Sequence, residues 1–86
     1  MTETIANSSA GKGTITAYET ERTIITPYVT DHSLIYITPT SDTGNVTPYL
    51  ARQTAADPTK GIQGSFTVAV PVMMTKDIDF NWWIVN

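Results

Sequence analysis

Residues 78–86 read I-D-F-N-W-W-I-V-N, and this stretch leaves little choice of local structure. Ile78, Phe80, Trp82 and Ile84 alternate with Asp79, Asn81, Trp83 and Val85, and side chains two apart share one face of a strand. The first set is wholly apolar, which predicts a face turned into a core. The second set begins polar and ends on Trp83 and Val85, so both faces become apolar towards the end of the strand. Apolar groups of this size on an outer face mark a surface that something covers, a second sheet or another copy of the chain. Trp83 and Val85 are therefore the expected oligomer-interface residues.

Composition extends the strand reading to the whole chain. Of 86 residues, 16 are threonine, 9 isoleucine and 6 valine, against two leucines, Leu34 and Leu50. β-Branched side chains lose rotamer freedom in helices and pack well on pleated sheets, so the class is all-β. A chain this short makes one small domain with a limited core. The formal net charge is −3, with five Lys and Arg. Those five are scattered, whereas binding nucleic acid through phosphates needs a basic stripe, so no nucleic-acid partner is expected. The absence of cysteine excludes a disulfide framework and thiolate metal sites. The apolar runs are too short to span a bilayer as a helix, and no membrane insertion is expected. Met1-Thr2-Glu3-Thr4 does not open like a secretory signal; an extracellular domain would need its export signal on a longer parent chain, or another route.

Turn signals divide the chain. Residues 1–12 (M-T-E-T-I-A-N-S-S-A-G-K) read as a flexible tail or linker, with the option of an exchanged strand, and 13–86 as a single β domain. Strands are expected over 14–18, 22–26, 33–38, 46–53, 65–70 and the terminal segment. The run 33–38 (S-L-I-Y-I-T) predicts a strand buried on both sides, while Pro48 places its strand at an edge or bulge. In 65–70 the alternation puts Phe66, Val68 and Val70 inward and Ser65, Thr67 and Ala69 outward. About six short strands suggest an antiparallel β-sandwich or jelly-roll-like domain. Its expected core is Ile15, Ile35, Ile37, Phe66, Val68, Ile78, Phe80 and Ile84.

Three stretches, V-T-D-H-S-L-I-Y-I-T-P-T-S-D-T-G-N at 29–45, G-S-F-T-V-A-V at 64–70 and D-I-D-F-N-W-W-I-V-N at 77–86, carry a resemblance. Over about residues 11–86 the chain resembles the small C-terminal β domain that ends bacterial surface or stalk proteins and, more distantly, phage tail-fibre knobs. One departure is Tyr18, where that pattern has a glycine before Glu19. The resemblance implies a fibre-head-like β-sandwich at the end of a stalk, homotrimeric and extracellular or cell-surface. It implies no particular ligand.

Candidate chemistry is sparse. Asp31-His32-Ser33 contains the residue types of a hydrolase triad, but neighbours in an extended chain point to opposite sides and cannot relay through one imidazole. Ser33 also lacks a nucleophile-elbow context. A single histidine cannot build a two-histidine metal site within one chain. Gly11-Lys12-Gly13 fails as a phosphate loop: Ala6 stands where a glycine is needed, and Gly13 where a Ser or Thr is needed. It reads instead as a flexible junction. Asp42, Gly44 and Asn45 supply too little local charge for tight calcium binding. No catalytic residue, metal or cofactor is expected.

The aromatics are the stronger candidates. Tyr36 and Trp82 fall at phases expected in the core, whereas Tyr28 and Tyr49 are the freer candidates for ligand contact, such as stacking on a sugar ring. The expected function is a non-enzymatic head or cap of an oligomeric surface or fibre protein that associates with itself. Two alternatives stay open: a carbohydrate-binding adhesin that contacts a cell-surface glycan, and a surface-filament subunit in which residues 1–12 add as a strand to a neighbouring copy.

Overall fold

A computed structural model of the chain describes residues 3–5, 9–41 and 46–85. It is all-β. Among the described residues seven strands occur in the order β1 (Glu3–Ile5), β2 (Ala10–Ile15), β3 (Glu21–Ile25), β4 (Leu34–Pro39), β5 (Tyr49–Thr54), β6 (Ser65–Ala69) and β7 (Ile78–Val85), with one 3₁₀ turn at Pro58–Lys60. They form two sheets, ordered β1-β3-β6-β5 and β2-β7-β4. Six of the strands answer to those expected from the turn signals, the first displaced from 14–18 to Ala10–Ile15, and these six pair antiparallel, while the short β1 lies parallel to β3.

Both sheets turn one face inward. Ile24, Phe66 and Val68 from the first meet Ile15, Ile78, Phe80, Trp82 and Ile84 from the second, with Val29 and Val70 closing the core and Ile35, Ile37 and Leu50 packed against it. The Phe66 and Trp82 rings touch edge to face across the layers, centroids 5.1 Å apart. Each buried side chain of valine-to-phenylalanine size contributes roughly 1.5–3 kcal/mol before chain entropy is subtracted.

The boundary of the expected tail is corrected. Ala10, Gly11 and Lys12 belong to β2 and pair with Trp83, Trp82 and Asn81 of β7, and Glu3–Ile5 forms β1 within this chain's own sheet. The G-K-G stretch is thus a strand whose glycines have a packing reason. A Cβ on Gly11 would lie 2.9 Å from Trp82 Cζ2, and one on Gly13 would lie 2.5 Å from Phe80 Cζ. The aromatic rings of β7 occupy the space that side chains on β2 would need, an aromatic cover over edge-strand glycine.

Three further readings change. The run 33–38 is not buried on both sides: β4 is an edge strand, with Leu34, Tyr36 and Thr38 exposed and Ile35 and Ile37 half-buried. Tyr36 consequently leaves the core, because the parity that takes Ile35 and Ile37 inward takes it outward. Thr67 and Ala69 do point away from the core, yet both are buried. They sit on central strand β6, flanked by Thr23 and Arg52 and by Glu21 and Tyr49 in register. The Thr23 and Thr67 hydroxyls bond at 2.9 Å, and Arg52 reaches from β5 to the Glu21 carboxylate on β3 with two 3.2 Å bonds. That guanidinium holds the Glu21 carboxyl below its ordinary pKa. Strand β5 is an edge strand with a bulge between Leu50 and Arg52, and Pro48 is buried just before it.

The β2–β3 turn holds a left-handed residue that is not glycine. Tyr18 has φ +68°, a left-handed conformation that disfavours a Cβ. Its N–H donates to the Met74 carbonyl at 2.8 Å, tying this turn to the β6–β7 connection. Two stability predictions result. Gly13→Ala should cost about 1–3 kcal/mol by overpacking, while Lys12→Ala, on the exposed side of the same strand, should stay within about 0.5 kcal/mol. Tyr18→Gly should stabilise by up to about 1 kcal/mol: relief of roughly 1–2 kcal/mol of left-handed strain exceeds the entropic cost of glycine. Urea unfolding of the variants checks both, and a neutral Gly13→Ala would contradict the packing account.

Candidate functional site on the outward face of the three-stranded sheet

Strand β7 is central in the three-stranded sheet, and its alternation divides its side chains between core and surface. Its outward residues stand in cross-strand rows. Val85 pairs with Leu34, Trp83 with Ala10 and Tyr36, Asn81 with Lys12 and Thr38, and Asp79 with Thr14. One end of the face is therefore apolar and the other polar.

At the apolar end Leu34 is 57% exposed, Tyr36 45%, Val85 43% and Trp83 39%, so four adjacent large side chains meet solvent together. The Tyr36 and Trp83 rings stack with centroids 5.2 Å apart and planes 18° from parallel. Such a pair is worth about 0.5–1.5 kcal/mol beyond the area it buries, and it holds the indole in a defined orientation.

At the polar end, the Thr14 hydroxyl donates to Asp79 Oδ1 at 2.8 Å, and the Asp79 N–H donates to the Ser41 hydroxyl at 2.9 Å. Two shallow depressions open on this face. One, of about 600 Å³, runs beside Trp83 over Ala10, Gly11, Lys12, Thr38 and Asn81. The other, of about 260 Å³, is lined by Lys12, Thr14, Thr40, Asp79 and Asn81 among others. Lys12 and Asn81 border both, and the two lie end to end as a trough along β7. The small residues of β2 leave room for it.

The expected site residues divide across the molecule. Trp83 and Val85 lie together on this face. Tyr49, 49% exposed, points outward from the four-stranded sheet beside Ala69, on the other side of the sandwich. Tyr28, 45% exposed, lies in the connection between β3 and β4. Neither belongs to the Trp83 face. Tyr36, expected in the core, does belong to it; the parity of Ile35 and Ile37 was the signal that could have placed it there. Asn81 and Asp79 were visible as the polar half of β7, but their neighbours on β2 and β4 were not.

Asp31-His32-Ser33 is a turn. Ser33 is buried, and its Oγ accepts from the Thr30 N–H at 2.7 Å, while the Gln53 amide donates to the carbonyls of Thr30 and Ser33. His32 is exposed, and its N–H donates to the Thr30 hydroxyl at 3.2 Å. Among the described residues, no cluster of three or more His, Asp or Glu stands ready for a metal, and no helix is long and apolar enough to cross a membrane. The calcium candidates Asp42, Gly44 and Asn45 lie outside the described residues.

Comparison of the chain with protein-family models, with curated proteins and with solved structures finds no match in any of the three. The face must be read from its own chemistry.

The Tyr36–Trp83 stack can be measured directly. A double-mutant cycle of Tyr36→Ala and Trp83→Ala in urea unfolding should return a coupling of about 0.5–1.5 kcal/mol. Additive losses would mean that the rings do not hold one another.

Proposed function

We propose that this chain is a non-enzymatic structural and interaction domain, a head or cap that associates with further copies of itself through the apolar end of the β2-β7-β4 face. One observation carries the reading: Leu34, Tyr36, Trp83 and Val85 form a contiguous exposed patch on a regular sheet surface. Water contact with such a patch is unfavourable at roughly 25 cal/mol per Å² of apolar surface. Tyr and Trp are the side chains enriched where protein surfaces bury one another.

Charge supports a copy of the same chain as the occupant. Each copy carries a formal net charge of −3, so copies repel at a distance, and a contact on uncharged side chains adds no local repulsion. The four patch residues are uncharged. A homotrimer at the tip of an extracellular or cell-surface fibre is the assembly this reading favours. A filament built by strand addition finds less support, because Ala10–Lys12 are already paired with β7 of their own chain.

Sedimentation equilibrium and light scattering test the proposal. The whole chain should form a discrete oligomer, a trimer on this reading. Trp83→Ala should weaken association about tenfold or more, as expected for a central aromatic anchor, and the near-UV signal of buried Trp82 should persist. A monomer at every accessible concentration, or an unchanged oligomer in Trp83→Ala, would overturn it.

A further inference from the structure

We infer that the trough at the polar end of the same face is a binding site for a neutral saccharide, a hexopyranose or a short glycan ending in one. The site is built from three strands. Asp79, Asn81 and Trp83 stand on the outward face of β7 at successive alternate positions, Lys12 flanks them from β2, and Thr38 from β4. Strand geometry spaces such alternate side chains about 6.5–7 Å apart, a distance that one sugar ring and its hydroxyls can bridge.

The chemistry matches a polyol with one apolar face. A pyranose presents axial C–H groups on a face and hydroxyls around its rim. The C–H groups carry slight positive charge and are attracted to the negative face of an aromatic ring, the electrostatics by which rings attract cations. Trp83 lines the trough, and its stack on Tyr36 sets the indole before any ligand arrives, which lowers the ordering cost of binding. The rim hydroxyls need both donors and acceptors. Asn81 supplies both, Lys12 three donors, Thr38 a hydroxyl and Asp79 a carboxylate. Thr14 occupies Oδ1 of that carboxylate; among the described residues, Oδ2, the Asn81 amide and the Lys12 ammonium make no intramolecular hydrogen bond.

Charge and shape narrow the ligand. One cation and one anion border the trough, so neither a strongly acidic nor a strongly basic ligand is favoured over a neutral one. The larger depression, at about 600 Å³, is shallow and opens broadly to solvent, a shape that suits a ligand laid along the sheet face.

The site is complete within one chain and does not require self-association. Trp83 belongs to both surfaces, so a copy seated on the apolar patch competes with saccharide for the indole, and dissociation of the oligomer leaves the site open.

The test titrates the ¹⁵N-labelled full chain with a panel of methyl α- and β-hexopyranosides of gluco, galacto and manno configuration, followed by NMR. At least one should bind saturably in the millimolar range and shift the Trp83 indole N–H together with Asn81 and Lys12. Asn81→Ala and Lys12→Ala should each weaken that binding about tenfold or more while leaving the mass by light scattering unchanged. Leu34→Ser should dissolve the oligomer and keep the saccharide shifts, so failure of either proposal can be told from failure of the other. A panel that moves none of these signals would overturn the inference, and so would shifts that survive in Asn81→Ala or that centre on Tyr28 or Tyr49.

Discussion

The fit of two aromatic rings against two glycines holds the structure together. Trp82 and Phe80 are wholly buried on β7, and their cross-strand partners on β2 are Gly11 and Gly13. Neither glycine could carry a methyl group without meeting a ring. Close packing leaves such rings little freedom to retreat. This contact fixes the register of β2 against β7, and the edge-to-face contact of Trp82 with Phe66 joins the two sheets. A one-residue slip would place Trp82 opposite a residue with a side chain and turn the β2 face over. Among the described residues, the buried Trp82 indole N–H meets no hydrogen-bond acceptor.

The surface chemistry of the domain follows from the same register. Because β7 commits alternate side chains to the core, Asp79, Asn81, Trp83 and Val85 must stand outward in a line. Pairing with β4 then adds Leu34, Tyr36 and Thr38 to that line, and pairing with β2 adds Lys12 and Thr14. The apolar end and the polar trough are consequences of one packing solution. Rigid sheet elements hold both, and such elements position side chains more precisely than loops do. The opposite side of the sandwich is closed differently: the Thr23–Thr67 bond and the Arg52–Glu21 pair cover central strand β6 there. Among the described residues, that side exposes Tyr49.

The apolar patch and the trough adjoin at Trp83, so the proposed assembly and the proposed recognition would share that side chain. Assembly would use the uncharged end, where copies of an acidic chain can meet, and recognition the end where donors and acceptors alternate. The support lies in the side chains of a single face.

Much of this was legible in the residues alone. The abundance of β-branched side chains set the all-β class, and the period-two pattern of 78–85 gave the inward and outward sets of β7, because side-chain parity is a local property of an extended backbone. The same parity applied to Ile35 and Ile37 would have turned Tyr36 outward. The left-handed φ of Tyr18 was not legible, since a tyrosine gives no local signal for that conformation. Tertiary structure decided which strands lie side by side. Gly11 meets Trp82, and Tyr36 meets Trp83, through pairings between distant parts of the chain that no local period encodes. Those pairings turned an apparent flexible junction into a packed strand, and placed Lys12 and Thr38 beside Asn81. Strand parity comes from backbone geometry, residue by residue. A binding face depends on non-local registers, and those are selected when the whole core packs.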